Sequence, residues 1–381
     1  MDEYHPCDSI DRITRAVAVV VCIFASSVVA PVSARGQAPA AGGSAQAPAA
    51  SKLIISGDLR VRYEHTTVEP GSLDRDRGVL RARLNAHWAP SAHLEFGVRA
   101  TTGDPADPRT TDVTLGDFAH KPAVSLDQAY IKVRQGGLTV GGGRLPNPFI
   151  GSELVWDGDV NPQGISGEYA LPHVGCVAPS VTSMLFAVDE RPSAPDSRMV
   201  GTQLVGKAQL SDAATLTLGA AYYDYRLKSL RASDVRGNRL TADGAQYLSD
   251  FNLVAVLGRL SYRGAGPAWP VTLTAEYVVN TGAAGSNEPG LDVEIDAGRT
   301  RVKGAMRARY GFMAADRDAV LAAFSHDNTP LATAYRMHTL AWDWYQRAGA
   351  STNVTLYVYR STMPGAGQYH ARLRLNFMVE F

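Results

Sequence analysis

Ala371-Arg-Leu-Arg-Leu-Asn-Phe-Met-Val-Glu-Phe381 alternates residue by residue. Ala371, Leu373, Leu375, Phe377, Val379 and Phe381 share one face. Arg372, Arg374, Asn376 and Glu380 share the other, where Met378 is the one apolar member. Successive strand side chains point to opposite sides, so this segment separates an apolar surface from a polar one. Two settings suit it: the edge of a soluble antiparallel sheet with one wet face, or the wall of a closed barrel with lipid outside and water within. The remainder of the chain discriminates between them.

Residues 1–34 have the form of a secretory signal. Arg12 and Arg15 precede an apolar stretch from Ala16 to Ala30, and Val32-Ser33-Ala34 supplies small residues at a cleavage site. The stretch is shorter than the roughly 20 residues that a spanning helix requires. Residues 35–51 are almost entirely Ala, Gly, Pro, Gln and Ser, a composition that cannot offset the entropy of ordering and predicts a flexible tail. Residues 52–381 then form one domain.

Hydrophobic residues make up 45% of the chain, yet from Lys52 onward no uninterrupted apolar run reaches helix-spanning length. Membrane insertion must therefore be by strands. Lys and Arg number 37 against 37 Asp and Glu, which gives no basic excess for a nucleic-acid partner. Cys7 and Cys22 fall in the expected leader, so no disulfide framework is expected in the mature chain. Gly141-Gly142-Gly143 lacks the spacing and the following helix of a phosphate loop, and no cofactor or metal site is expected.

Sixteen alternating segments can be read: 53–65, 79–88, 93–102, 124–135, 138–144, 164–173, 177–188, 199–210, 214–226, 251–263, 271–280, 291–297, 302–313, 335–347, 353–361 and 368–381. Their connections alternate short and long. A one-sided antiparallel barrel requires this, with short periplasmic turns on one rim and long extracellular loops on the other. Trp88, Tyr222, Trp269, Tyr277, Tyr310, Trp344, Tyr357 and Tyr369 lie at or near strand ends, as interfacial aromatic girdles would require. The fold class is an all-β, transmembrane antiparallel barrel of about sixteen strands.

With the apolar face toward lipid, parity assigns the lumen. Arg60, Arg62, Arg81, Arg83, Arg99, Arg372 and Arg374 then line one arc, because closure sets the last strand beside the first. The loop 146–163 is rich in Pro and Gly but carries apolar residues, Phe149 and Trp156 foremost, that a solvated loop does not need. Folded into the lumen, it would anchor on them and present Glu153, Asp157 and Asp159 to the arginine arc, an acid–base constriction acting as a charge filter. The alternative use of those acids is calcium binding at the cell surface.

The stretch 126–167, with LDQAYI, GGGRLPNPF and LVWDGDVNPQG, resembles the putative porin family of Gram-negative bacteria. The resemblance implies a sixteen-stranded outer-membrane channel, and Phe381 resembles the terminal signal read by the barrel-assembly machinery. The expected function is passive diffusion of small polar or anionic solutes. The alternatives are a rim-active barrel hydrolase and a plugged structural or adhesin barrel. No nucleophile motif accompanies His65, His120, His173 or His326, so the chain is not expected to be an enzyme. Expected partners are outer-membrane lipid, the assembly machinery and the solutes, with monomer and homotrimer both open.

Overall fold

A computed structural model describes residues 52–67, 74–116, 118–230 and 235–381. The expected signal (1–34) and tail (35–51) lie outside them. The strands are β1 (Lys52–Thr66), β2 (Arg75–Ser91), β3 (Leu94–Thr102), β4 (Val113–Thr114), β5 (Val124–Gln135), β6 (Leu138–Arg144), β7 (Gln163–Ala170), β8 (Val177–Asp189) and β9 (Ser197–Ser211). They continue as β10 (Ala214–Arg226), β11 (Phe251–Tyr262), β12 (Val271–Asn280), β13 (Glu288–Gly298), β14 (Met306–Ala315), β15 (Tyr335–Arg347), β16 (Ala350–Ser361) and β17 (His370–Glu380). All pairings are antiparallel. The sheet closes on itself where β17 pairs with β1, from Asp58 opposite Glu380 to Thr66 opposite Arg372.

Strand β4 is not part of the cylinder in the same sense as the other sixteen. It is a two-residue piece of the 103–123 loop that pairs with Val79 and Leu80 of β2, above the point where the nine-residue β3 stops. The sixteen segments read from the sequence all appear. The 302–313 segment begins later, at Met306, because the chain first turns through Arg301 and Gly304, both at positive φ.

Burial is inverted relative to a water-soluble protein. On β1, Leu59, Val61 and Tyr63 are 46–47% exposed, whereas Arg62 and Glu64 are 6% and 1% exposed. Lipid is the solvent that makes this arrangement favourable, since the exposed backbone has no open edge and the apolar side chains face hydrocarbon. Trp88, Tyr222, Trp269, Tyr277, Tyr310, Trp344 and Tyr369 all lie on the outer surface. Tyr357 does not. It faces the lumen, buried, and its hydroxyl donates to Asn328 Oδ1 at 3.0 Å. Parity decides the face for this residue, and proximity to a strand end does not.

Inside, the wall is divided. Strands β1, β2, β3 and β17 present charged side chains, while β8 to β12 present Met184, Phe186, Met199, Tyr223, Tyr225, Phe251, Leu253 and Val278. An apolar lumenal wall has to be covered, because water against it forgoes about 25 cal/mol for each Å² left unburied. Two long loops cover it.

Candidate functional site

The charged wall is built by strand register. Between β1 and β2, Asp58 stands opposite Arg83, Arg60 opposite Arg81 and Glu64 opposite Arg77. Arg60 and Arg81 would repel as directly opposed like charges. They diverge instead. Arg81 Nε donates to Asp58 at 3.0 Å, and Arg60 reaches Asp112 from the 103–123 loop. Arg62 bonds Asp112 at 2.6 Å and Asn376 at 2.7 Å, and Arg83 shares Asp58 at 2.7 Å. The buried Glu64 receives three arginines: Arg77 at 2.6 Å, Arg374 at 2.8 Å and Arg372 at 3.5 Å. Further along, Arg99 pairs with Asp127.

The 145–162 loop lies within the barrel and is closed at its base by a backbone bond from Leu145 to Pro162 at 2.8 Å. One side packs on the apolar wall. Phe149 meets Tyr223 edge-on at 5.5 Å, Ile150 exchanges two hydrogen bonds with Gln203, and the Ser152 N–H donates to Glu276 at 2.6 Å. Trp156 stacks on Phe324 at 5.4 Å, contacts Phe186 at 5.5 Å and donates from Nε1 to the Val160 carbonyl at 2.9 Å. The loop's other side turns toward the charged wall through an Asx-type turn, in which Asp157 Oδ1 accepts the Asp159 N–H at 2.8 Å.

A second inserted segment, residues 316–334, is one that strand alternation does not announce. Asp318, fully buried, ties it to the 227–250 loop by accepting from Asn238 at 3.2 Å, from the Arg239 N–H at 2.9 Å and from the Ser249 hydroxyl at 2.6 Å. Ala319 to Phe324 are buried against the aromatic cluster. The segment also braces the first loop: Asp157 N–H donates to the Phe324 carbonyl at 2.7 Å, Ser325 Oγ to the Leu154 carbonyl at 2.8 Å and His326 N–H to the Glu153 carbonyl at 3.1 Å. Asn328 then links Glu153 (2.5 Å) to Arg374 (3.0 Å).

Between loops and wall remains a polar gap of about 140 Å³. It is lined by five arginines (60, 62, 81, 109 and 374) and five acids (Asp112, Glu153, Asp157, Asp159 and Asp327). Of the three loop acids read from the sequence, Asp159 meets the arc directly, at 3.2 Å from Arg83 Nη1. Glu153 meets it through Asn328. Asp157 lines the gap but, among the described residues, makes no ion pair with an arginine. Arg99 and Arg372 bond outside the gap, to Asp127 and to Thr66 and the Asn328 carbonyl.

The acids differ in charge state. Burial pushes Glu153 up, and Asp157 well up, the latter helped by the nearby charges of Glu153 and Asp327. For Asp112 burial acts in the same direction but is outweighed by Arg60 and Arg62, so its carboxyl is held below the usual range. Burial, with the charges of Arg109, Arg374 and Arg372, pushes His326 down to about 3, and this histidine is neutral.

The sequence points the same way as the geometry: residues 67–249 match the model of the putative porin family. Over that span the chain is similar to the putative porin family. No curated protein matches it. Among solved structures, this chain is similar to OprB of Pseudomonas putida in its high-pH structure, at 14% identity and TM-score 0.58, covering 86% of this chain and 94% of that one. It is also similar to the anion-selective porin from Comamonas acidovorans, at 10% identity and TM-score 0.54, covering 87% and 100%. The trimer form of OmpT from Vibrio cholerae matches at 9% identity and TM-score 0.53, again over 87% and 100%. At these identities the likeness is one of fold. The chain is thus a closed antiparallel barrel with sixteen strands in its cylinder, the fold of the outer-membrane porins it is similar to.

Proposed function

We propose that the barrel passes small polar solutes by passive diffusion, with weak preference for anions, through the gap between the inserted loops and the arginine wall. The observation that carries this reading is the gap's charge inventory. Five arginines face five acids, and burial raises the pKa of Glu153 and Asp157, so the acidic side of the lining is the weaker one and the balance tilts toward positive charge. Opposed charges across a narrow passage produce a transverse field, and a net positive lining lowers the barrier for anions. A volume of about 140 Å³ admits a small hydrated ion more readily than a bulky solute.

Conductance of the refolded mature protein in a planar bilayer, with reversal potentials in a salt gradient, tests both parts. The expected result is an open channel with modest anion preference. A silent membrane would instead mark a plugged barrel, and cation preference would reverse the charge assignment.

Three further elements belong to this reading. Export through a cleaved leader predicts a mature N-terminus at Arg35, read by N-terminal sequencing. Phe381 serves as the assembly signal; its backbone exchanges hydrogen bonds of 3.0 and 3.1 Å with Gly57, and its ring is exposed on the outer surface. OmpT of Vibrio cholerae has a trimer form, and a homotrimer is the assembly we infer for this chain, read by cross-linking in native membranes.

A further inference from the structure

A second cavity, of about 440 Å³, opens on the long-loop side of the barrel, displaced from the arginine-lined gap. We propose that it is a docking site for a monoaromatic carboxylate, held before it enters the gap; this rests on the anion-passing reading above.

The cavity's size falls in the range of about 300–1,000 Å³ common to small-molecule sites. Its floor is apolar: Phe186, Phe324, Leu321 and Val160 belong to the buried cluster, with Leu227 and Tyr247 packed against it. A flat ring covers such a floor well, since aromatic rings contact one another in offset or edge-on geometry. A solute carrying charge alone gains nothing there.

The inner end supplies a cation. Arg144, at the end of β6, donates from Nε to the Asp127 carbonyl at 2.6 Å, and its Nη2 stands 4.0 Å from Asp127 Oδ1, at the limit of an ion pair. The Arg144 side chain is 29% exposed and lines the cavity, so its guanidinium can present donors to a carboxylate in the paired geometry that guanidinium favours. Beyond it, Asp127 connects to Arg99, the first member of the charged wall.

The outer end carries the opposite sign. Gly143 of β6 pairs with Gly164 of β7, and Gly164 with Phe186 of β8, so Asp189 lies three residues, about 10 Å, further along β8, with Glu190 beyond it. Asp189 accepts from the Ser229 hydroxyl at 2.5 Å, and Glu190 is exposed. Acids at the mouth and arginine within orient a monoanion with its carboxylate inward and its ring on the aromatic floor. A ring with two carboxylates would place one beside the acids.

The test uses the wild-type barrel. In a planar bilayer, benzoate added on the loop side should block the chloride current in a concentration-dependent manner. Acetate, benzylammonium and phthalate should block at least about tenfold more weakly, lacking the ring, the charge sign or the single charge respectively. Calorimetric titration of benzoate into the detergent-solubilised protein reads the same site without current. Arg144→Gln should weaken benzoate by about tenfold in both measurements, as loss of a charge-assisted bond would. Block by acetate or benzylammonium equal to that by benzoate overturns the proposal, as does Arg144→Gln binding with wild-type affinity. Anion preference without benzoate binding overturns this proposal alone; benzoate binding in a channel without anion preference overturns the selectivity reading and leaves the site standing.

Discussion

Asp159 of the inserted loop lies 3.2 Å from Arg83 Nη1 on β2, and the same arginine donates to Asp58 of β1 at 2.7 Å. One loop acid therefore shares its base with the wall, and the two sides of the lumen are joined electrostatically at this point. The Thr111 hydroxyl, donating to Asp159 at 3.1 Å, adds the 103–123 loop to the same junction.

Replacing Asp159 with Asn should leave Arg83 paired with Asp58 alone, remove one negative charge from the gap and raise anion preference. A unit charge about 4 Å from a permeating ion in a water-like medium is worth about 1 kcal/mol, or about fivefold in permeability ratio. Reversal potentials at 0.1 M salt should show the change. At 1 M, where screening shortens to about 3 Å, it should fade. Asp157→Asn should have a smaller effect, because that carboxyl is already biased toward neutrality.

Selectivity should depend on pH with a defined sign. Glu153 and Asp157 have raised pKa values, so each is protonated over a range in which an ordinary carboxyl is ionised. Raising the pH through those values adds negative charge to the gap, and anion preference should fall. Reversal potentials that stay constant from acid to alkaline pH would show that neither group borders the permeation path.

Trp156→Ala removes the side chain that stacks on Phe324 and contacts Phe186. Truncating a buried aromatic costs about 3–5 kcal/mol. Here the loss falls on the loop and leaves the barrel ladder intact, so single-channel recordings should show larger current fluctuation with little change in reversal potential.

Asp318→Ala tests the second inserted segment. Removing a fully buried carboxylate takes away the Ser249 hydroxyl's acceptor and one acceptor each from Asn238 and Arg239, a change of about 3–5 kcal/mol when a buried ion pair loses one partner. The 316–334 segment should loosen and unit conductance should rise. Unchanged conductance would mean that the segment does not limit the path.

Deleting Phe381 should lower the amount of folded barrel in the outer membrane and leave the conductance of the assembled fraction unaltered. Heat-modifiable mobility on a gel, compared with bilayer recordings, separates the two effects.

The strands are legible in the sequence because lipid outside and charge inside give each strand of the β1, β2 and β17 wall an unambiguous alternation. Parity alone places Arg60, Arg62, Arg81 and Arg83 on the lumenal face. The pairing of those arginines is not legible, since Asp112 reaches Arg60 and Arg62 from a loop whose path no periodicity specifies. Strands β8 to β12 carry apolar residues on both faces, so alternation there does not announce a buried lumenal wall. For the same reason the 316–334 segment escapes a reading by pattern. Its Ala319-Val-Leu-Ala-Ala-Phe324 run is the signal that marks it as packed, but it becomes meaningful only once an apolar surface inside the barrel is known to need covering.

Because the two inserted loops rest on one half of the lumen, the width of the passage is not fixed by the number of strands. It depends on how far the loops stand off their apolar bed, which is set by side chains such as Phe149, Leu154 and Leu321 that touch neither lipid nor, among the described residues, an ion-pair partner. Substitutions at these positions can alter what enters the cell while the outer surface, the strand ladder and the closing pair of strands stay as they are. Permeability and membrane insertion are thereby separable properties of this chain, free to vary independently as the surroundings of the cell change.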